Sequence, residues 1–179
     1  MRNITIIFIS ALLLACGENK SGEKTVTISE GDSGKHELVY NGAKREAQFK
    51  NEEVTSVYDA YNKLKIALVN TDAEAAQDAA EDMISKMEAV EVEADLKQVA
   101  QSIASTKDIN KQRANFEKLT AGIKTFVEEN ISDGTLYYQY CPMAFDGKGA
   151  YWISNEKKIF NPYFGDVMLN CGTVSEEIK

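Results

Sequence analysis

The chain has 179 residues, 44% hydrophobic and 27% charged, which suffices for one sizeable core and no second one. There are 20 Lys and Arg against 28 Asp and Glu, a formal net charge of −8, and this balance excludes nucleic acid as the expected partner. The single histidine, His36, excludes zinc sites built from several histidines and any two-His facial triad. Three cysteines, Cys16, Cys141 and Cys171, are too few for a disulfide-dense scaffold.

The chain opens on Arg2 and a mostly apolar stretch from Ile4 to Leu14, too short to span a bilayer as a helix. It ends in Leu13-Leu14-Ala15-Cys16, which resembles a bacterial lipobox. Residues 1–15 are therefore expected to be a lipoprotein signal peptide, with Cys16 taking the lipid. Several acyl chains at about 0.8 kcal/mol per buried methylene make a stable membrane anchor. The expected location is the bacterial cell envelope. Gly17 after the lipid cysteine points to the outer membrane, with the domain facing the periplasm or the surface. Residues 16–50 are rich in Gly, Ser, Lys and Glu and read as a flexible tether, with a short extended patch at Thr25 to Ile28. His36 falls within it as a solvated residue.

The folded domain is expected over residues 51–179. Val54, Val57, Tyr58, Tyr61, Leu64 and Leu68 recur at spacings of three and four, so they form one helical face. Asn51 is placed to cap that helix, with Glu52 and Glu53 in its first turn. Thr71-Asp72-Ala73-Glu74 fits a capping box for a second helix, which carries Ala76, Ala79, Ala80, Met83, Ile84 and Met87. Met83 and Met87 read as core filler. The acidic run Glu88, Glu91, Glu93 and Asp95 reads as a solvated connection. A third pattern runs through Leu96, Val99, Ala100 and Ile103. A fourth runs through Ile109, Phe116, Leu119, Ile123, Phe126 and Val127 and stops before Ser132-Asp133-Gly134. Arg113 lies in it, as half of either a buried or a surface ion pair. Short connections favour antiparallel neighbours, so the expected class is all-α: an antiparallel four-helix bundle with a small, aromatic, partly β C-terminal cap at about 135–179.

Composition shifts after Gly134. Tyr137, Tyr138, Tyr140, Phe145, Tyr151, Trp152, Phe160, Tyr163 and Phe164 crowd into the cap, with both prolines. Tyr137 to Tyr140 and Tyr151 to Ile153 read as extended, and Asp166 to Asn170 as one helical turn. Two sulfur pairs lie here. Cys141-Pro142-Met143, if extended, points its two sulfur side chains the same way. Met168 and Cys171 are three apart and would share a helical face. Together they make a two-Cys, two-Met set of soft ligands, suited to copper(I) or silver(I) rather than zinc or magnesium. The alternative is a plain disulfide between Cys141 and Cys171, with the methionines in the core. Both readings stay open at this point. No catalytic residues are assigned and no enzyme is expected. There is no Cys-x-x-Cys motif, phosphate loop or zincin helix, and a Cys141–His36 nucleophile pair would need the tether to fold back.

The run YYQYCPMAFDGKGAYWISNEKKIFNPYFGDVMLNCGTVSEEI resembles the C-terminal signature of the bacterial domain of unknown function 3347. The segments from Tyr58 to Val69 and from Asp108 to Phe116 look like that family's opening helix and a later helix start. The resemblance covers about Asn51 to Ile178. It implies a lipid-anchored single-domain member of a family whose domain also occurs at the tail of periplasmic adaptors of heavy-metal efflux pumps. It thus implies copper or silver handling, with Cys141, Met143, Met168 and Cys171 as the motif's sulfurs. Trp152 and the Asn161-Pro162-Tyr163-Phe164-Gly165 turn carry over as structural. The expected function is soft-metal buffering or delivery to efflux components. The alternative is a disulfide-stapled interaction module of the envelope without metal.

Overall fold

The structure is a computed structural model that describes residues 39–179. The expected signal peptide, the lipid site at Cys16, the extended patch at Thr25 to Ile28 and His36 all lie outside the described residues.

Helix α1 runs Glu52–Val69. The Asn51 side chain accepts from the Val54 amide, so the expected cap is present. Its six periodic apolar residues are all buried. Full burial of one such side chain contributes about 1.5–3 kcal/mol, and this face carries the core. α2 spans Ala73–Lys86, α3 Ala94–Ala104 and α4 Ile109–Asn130. Each helix packs on the one before it, and α1 also touches α4. Met83 and Met87 are buried among the apolar residues, as their alanine-rich face suggests. The body is mostly helical, with a small β region at its C-terminal end. Among the described residues, no helix is long and apolar enough to cross a membrane.

Two local readings need correction. The cap of α2 is Asp72, whose carboxylate accepts from the amides of Glu74 and Ala75, so Thr71 is not the first member of a capping box. Thr71 instead closes α1 at φ 58, a left-handed position usually given to glycine. Its hydroxyl accepts from Arg113, which fixes it there. Arg113 itself is buried without an ion-pair partner among the described residues. It donates to the carbonyls of Pro162 and Leu68 and to Thr71, stitching α4 to the end of α1 and to the cap. Burial pulls its pKa down, and the nearby charge of Asp166 opposes this.

The tether also ends earlier than composition suggests. Residues 40–50 pack on the domain: Tyr40, Ala47 and Phe49 are buried, and strand β1 (Gln48–Phe49) pairs antiparallel with β2 (Ile131–Asp133). Polar composition hid this because the segment docks mainly through hydrogen bonds. We call residues 40–47 the strap.

The cap is a three-stranded antiparallel sheet in the order β4-β3-β5, with β3 at Leu136–Cys141, β4 at Ala150–Ser154 and β5 at Thr173–Ile178. It sits on α1 and α4. The Ile153 amide donates to the Tyr61 hydroxyl, which also bonds Thr120 of α4, and Tyr58 donates to Asn155. Phe116 of α4 packs on Tyr163, which in turn meets Trp152 edge-on. The turn expected at Asp166 to Asn170 is a 3-10 turn at Gly165–Met168.

Candidate functional site

Antiparallel pairing places the two cap cysteines together. Tyr140 opposes Thr173, so the chain entering β5 passes the end of β3, where Cys141 sits. The two sulfurs are 3.2 Å apart and both thiols are free. Cys141 is buried and Cys171 half-buried. The thiol of Cys171 is pushed up in pKa, first by its hydrogen bond with Cys141 and then by burial. Near neutral pH this is a protonated thiol sharing an S–H···S contact. Such a pair has two chemical options. It can lose two protons to a soft cation, or two protons and two electrons to form a disulfide.

The methionines are placed differently. The strand ends at Cys141, and Pro142 and Met143 turn away, with Met143 at φ −86 and ψ −12. The period-two rule needs an extended backbone, so it does not hold across Cys141-Pro142-Met143. Met143 is accordingly 55% exposed beside a buried cysteine. Met168 is half-buried at the end of the 3-10 turn, and its carbonyl accepts from the Cys171 amide at 3.0 Å. Both thioethers thus flank the thiol pair in the chain, one near solvent and one at the turn leading to Cys171. Among the described residues, no three His, Cys, Asp or Glu side chains gather in a way that could hold a metal ion. A metal at this pair would therefore draw any further ligand from thioether, backbone or a partner.

The Cys171 segment is held by a loop. Asn161 is fully buried; its amide donates to Leu169 O at 2.8 Å and its side chain to Cys171 O at 2.8 Å. Asn170 donates back to Ile159 O. Gly172, at φ 147, lets the chain slip past the edge of Trp152: a Cβ there would lie 2.9 Å from Trp152 Cη2 and 2.9 Å from Tyr140 O. That close approach carries Cys171 to Cys141. On the other side of Cys141, Phe145 and Asp146 lie at φ 51 and 57, two non-glycine residues in the left-handed region.

A second polar cluster was not singled out from sequence. Lys65 of α1 is fully buried, and its Nζ donates to the Tyr40 hydroxyl at 2.8 Å and to Ser154 Oγ at 3.2 Å. Tyr40 donates on to Glu156 at 2.7 Å. Burial draws the Lys65 pKa down to about 8, with the charge of Glu156 opposing it. Burial, and then Glu156, push the Tyr40 phenol well above its ordinary value. One signal was available in the sequence: Lys65 stands four after Tyr61 and three before Leu68, on the apolar face itself.

No curated protein and no solved structure matches the chain. The cysteine-bearing cap lies beyond the stretch that a family model covers. The family described as protein of unknown function (DUF3347) matches residues 57–134, from within α1 to the turn after β2, and that stretch of the chain is similar to it.

Proposed function

We propose that this is a lipid-anchored envelope protein that binds a soft cation, copper(I) or silver(I), through Cys141 and Cys171, for buffering or delivery to efflux components. The observation that carries the reading is the pair of free thiols 3.2 Å apart. Thiolates sharing one metal at about 2.3 Å each stand about 3.8 Å apart in tetrahedral and about 4.6 Å apart in linear geometry, so the pair must open by about 0.6–1.4 Å to accommodate an ion. Met143 and Met168 are the added thioether ligands, and the exposure of Met143 suits a site that accepts and releases metal by ligand exchange. The scaffold reading that goes with this is an antiparallel four-helix bundle, supported by the packing of each helix on its predecessor. The membrane attachment rests on the sequence from Arg2 to Cys16 alone.

The same distance favours a second reading. A disulfide needs the sulfurs to close to about 2.05 Å, and the domain would then be a stapled interaction module without metal.

The test is a copper(I) titration of the reduced chain carrying Cys16→Ser, against a chromophoric chelator. One equivalent bound tightly, weakened by Cys141→Ser and by Met143→Leu/Met168→Leu, is the expected result. Failure of the reduced chain to compete for copper leaves the stapled module as the better reading. A loss confined to the cysteine variant removes the methionines from the site.

A further inference from the structure

The strap and the thiol pair are joined by one loop. On its outer side, residues 155–160 hold the strap. Tyr40 stacks on Phe160 with ring centres 4.2 Å apart, Tyr40 and the Ala43 amide both donate to Glu156, and Asn155 donates to Ala43 O. On its inner side, the same loop holds both cysteine segments. The Gln139 side chain, two residues before Cys141, donates to the carbonyls of Glu156, Lys157 and Lys158. Ile159 O accepts from Asn170, and Asn161 grips Leu169 O and Cys171 O. Every link from Tyr40 to Cys171 is therefore a direct contact.

The strap also has a reason to exist in two states. Its only regular structure is the β1 pairing that follows it. Ala47 anchors its far end in the core, while its Tyr40 end is held by the reciprocal bonds between Tyr40 and Asn70, the bond from Lys65 and the contacts to the loop, with the Arg45–Asp59 ion pair between. Docked, it seals Lys65. The groups facing that amine are the Tyr40 hydroxyl from the strap and Ser154 from β4, with the Glu156 carboxylate reached through Tyr40. No described carboxylate pairs with it directly. A buried ammonium held only by hydroxyls is costly, and undocking returns it to water. The cost of closure is thus opposed by the bonds that hold the loop.

We propose that the strap is a latch on the thiol pair: docked on Phe160 and Glu156, it fixes the 155–161 loop and so holds Cys171 against Cys141, and released, it frees Cys171. The strap is where the segment that follows Cys16 enters the domain, so tension or a partner acting on that segment reaches the thiols. This regulation rests on the proposed role of the pair, and it is tested through the thiols themselves.

The experiment uses the full chain with Cys16→Ser, comparing Tyr40→Ala and the milder Tyr40→Phe with the parent. Amide exchange at Tyr40 and Ala43 reads the latch, and exchange in α2 reads global stability. Alkylation of Cys171, followed by peptide mass spectrometry, reads the site. The expected result is faster exchange in the strap, unchanged protection in α2, and alkylation of Cys171 faster by about tenfold, the usual scale of coupling between sites. Copper(I) affinity, where the parent binds, falls with it. An open strap with unchanged alkylation of Cys171 overturns the latch. So does a strap that stays closed in both variants, or one that opens only together with α2. Absence of copper binding in the parent overturns the metal reading and leaves the alkylation result to decide the latch.

Discussion

The Nζ of Lys65 lies 2.8 Å from the Tyr40 hydroxyl, fully buried between α1, the strap and β4. The amine is held at a pKa of about 8 against 10.5 for an ordinary lysine. This makes stability depend on pH with a definite sign. Below pH 8 both folded and unfolded chains carry the proton, and the burial cost is fully felt. Between the two values the unfolded chain binds more protons, so stability rises with pH. Unfolding by urea from pH 8 to 9.5 is expected to show a gain of roughly 1–2 kcal/mol. The buried phenols of Tyr58 and Tyr61 reverse the trend above pH 10, because their pKa values are raised. Lys65→Met should abolish the gain and leave the protein at least as stable near pH 7. The raised Cys171 thiol lowers stability over the same window in both chains, so a parent whose profile matches that of Lys65→Met refutes the assignment.

Arg113 joins three acceptors on two segments: Leu68 O and Thr71 Oγ1 at the end of α1, and Pro162 O in the cap. Arg113→Met fills the volume but leaves Pro162 O without a donor, at about 1–3 kcal/mol for a buried group, whereas Leu68 O keeps the Thr71 amide. A fall in stability of about 2 kcal/mol by denaturant unfolding is expected. Arg113→Lys should recover only part of it, because one ammonium cannot reproduce the guanidinium fork. Equal stability of the Lys variant and the parent contradicts this geometry.

The β3–β4 connection contains opposite responses to glycine chemistry. Asp146 is exposed at φ 57, so Asp146→Gly should relieve backbone strain and stabilise by about 0.5–1 kcal/mol. Gly149 is at φ 81, and a Cβ there would meet the Tyr140 hydroxyl at 2.0 Å and its ring at 2.5 Å. Gly149→Ala should therefore cost about 2 kcal/mol or more, from strain and overpacking together. Thermal melts of both variants check the pair of signs.

The cysteines are 30 residues apart in sequence and 3.2 Å apart in space. Oxidising them closes a loop whose entropy is worth about 3–4 kcal/mol in the chain-entropy account. Mild oxidation of the Cys16→Ser chain should raise the midpoint of unfolding, reducing agent should restore it, and Cys171→Ser should abolish the difference. Intact-mass measurement shows whether two hydrogens are lost. A midpoint that is insensitive to oxidation, in a chain that has lost them, shows that the closed pair strains the sheet.

The helices were legible residue by residue. The spacing of Val54, Val57, Tyr58, Tyr61, Leu64 and Leu68 names one face, and that face is buried. The same holds for Phe116, Leu119, Ile123, Phe126 and Val127 in α4. A helical period of 3.6 ties burial to neighbours in the chain, so it can be read locally. The Asn51 cap was legible for the same reason. The α2 cap was displaced by one residue, because Thr71 answers to Arg113, which is 42 positions away.

The candidate site divides along the same line. Sequence alone determined which sulfurs are available and that Cys141 and Cys171 are the cysteines of the cap. It also bounded the metal chemistry by offering only one histidine. Only the tertiary structure decided that β5 returns antiparallel beside β3 to bring the thiols together, that Met143 faces solvent, and that the strap closes over Lys65. Strand register and the docking of an irregular segment depend on distant partners. No local periodicity records them, because the bonds that fix them span from 30 to over 100 residues.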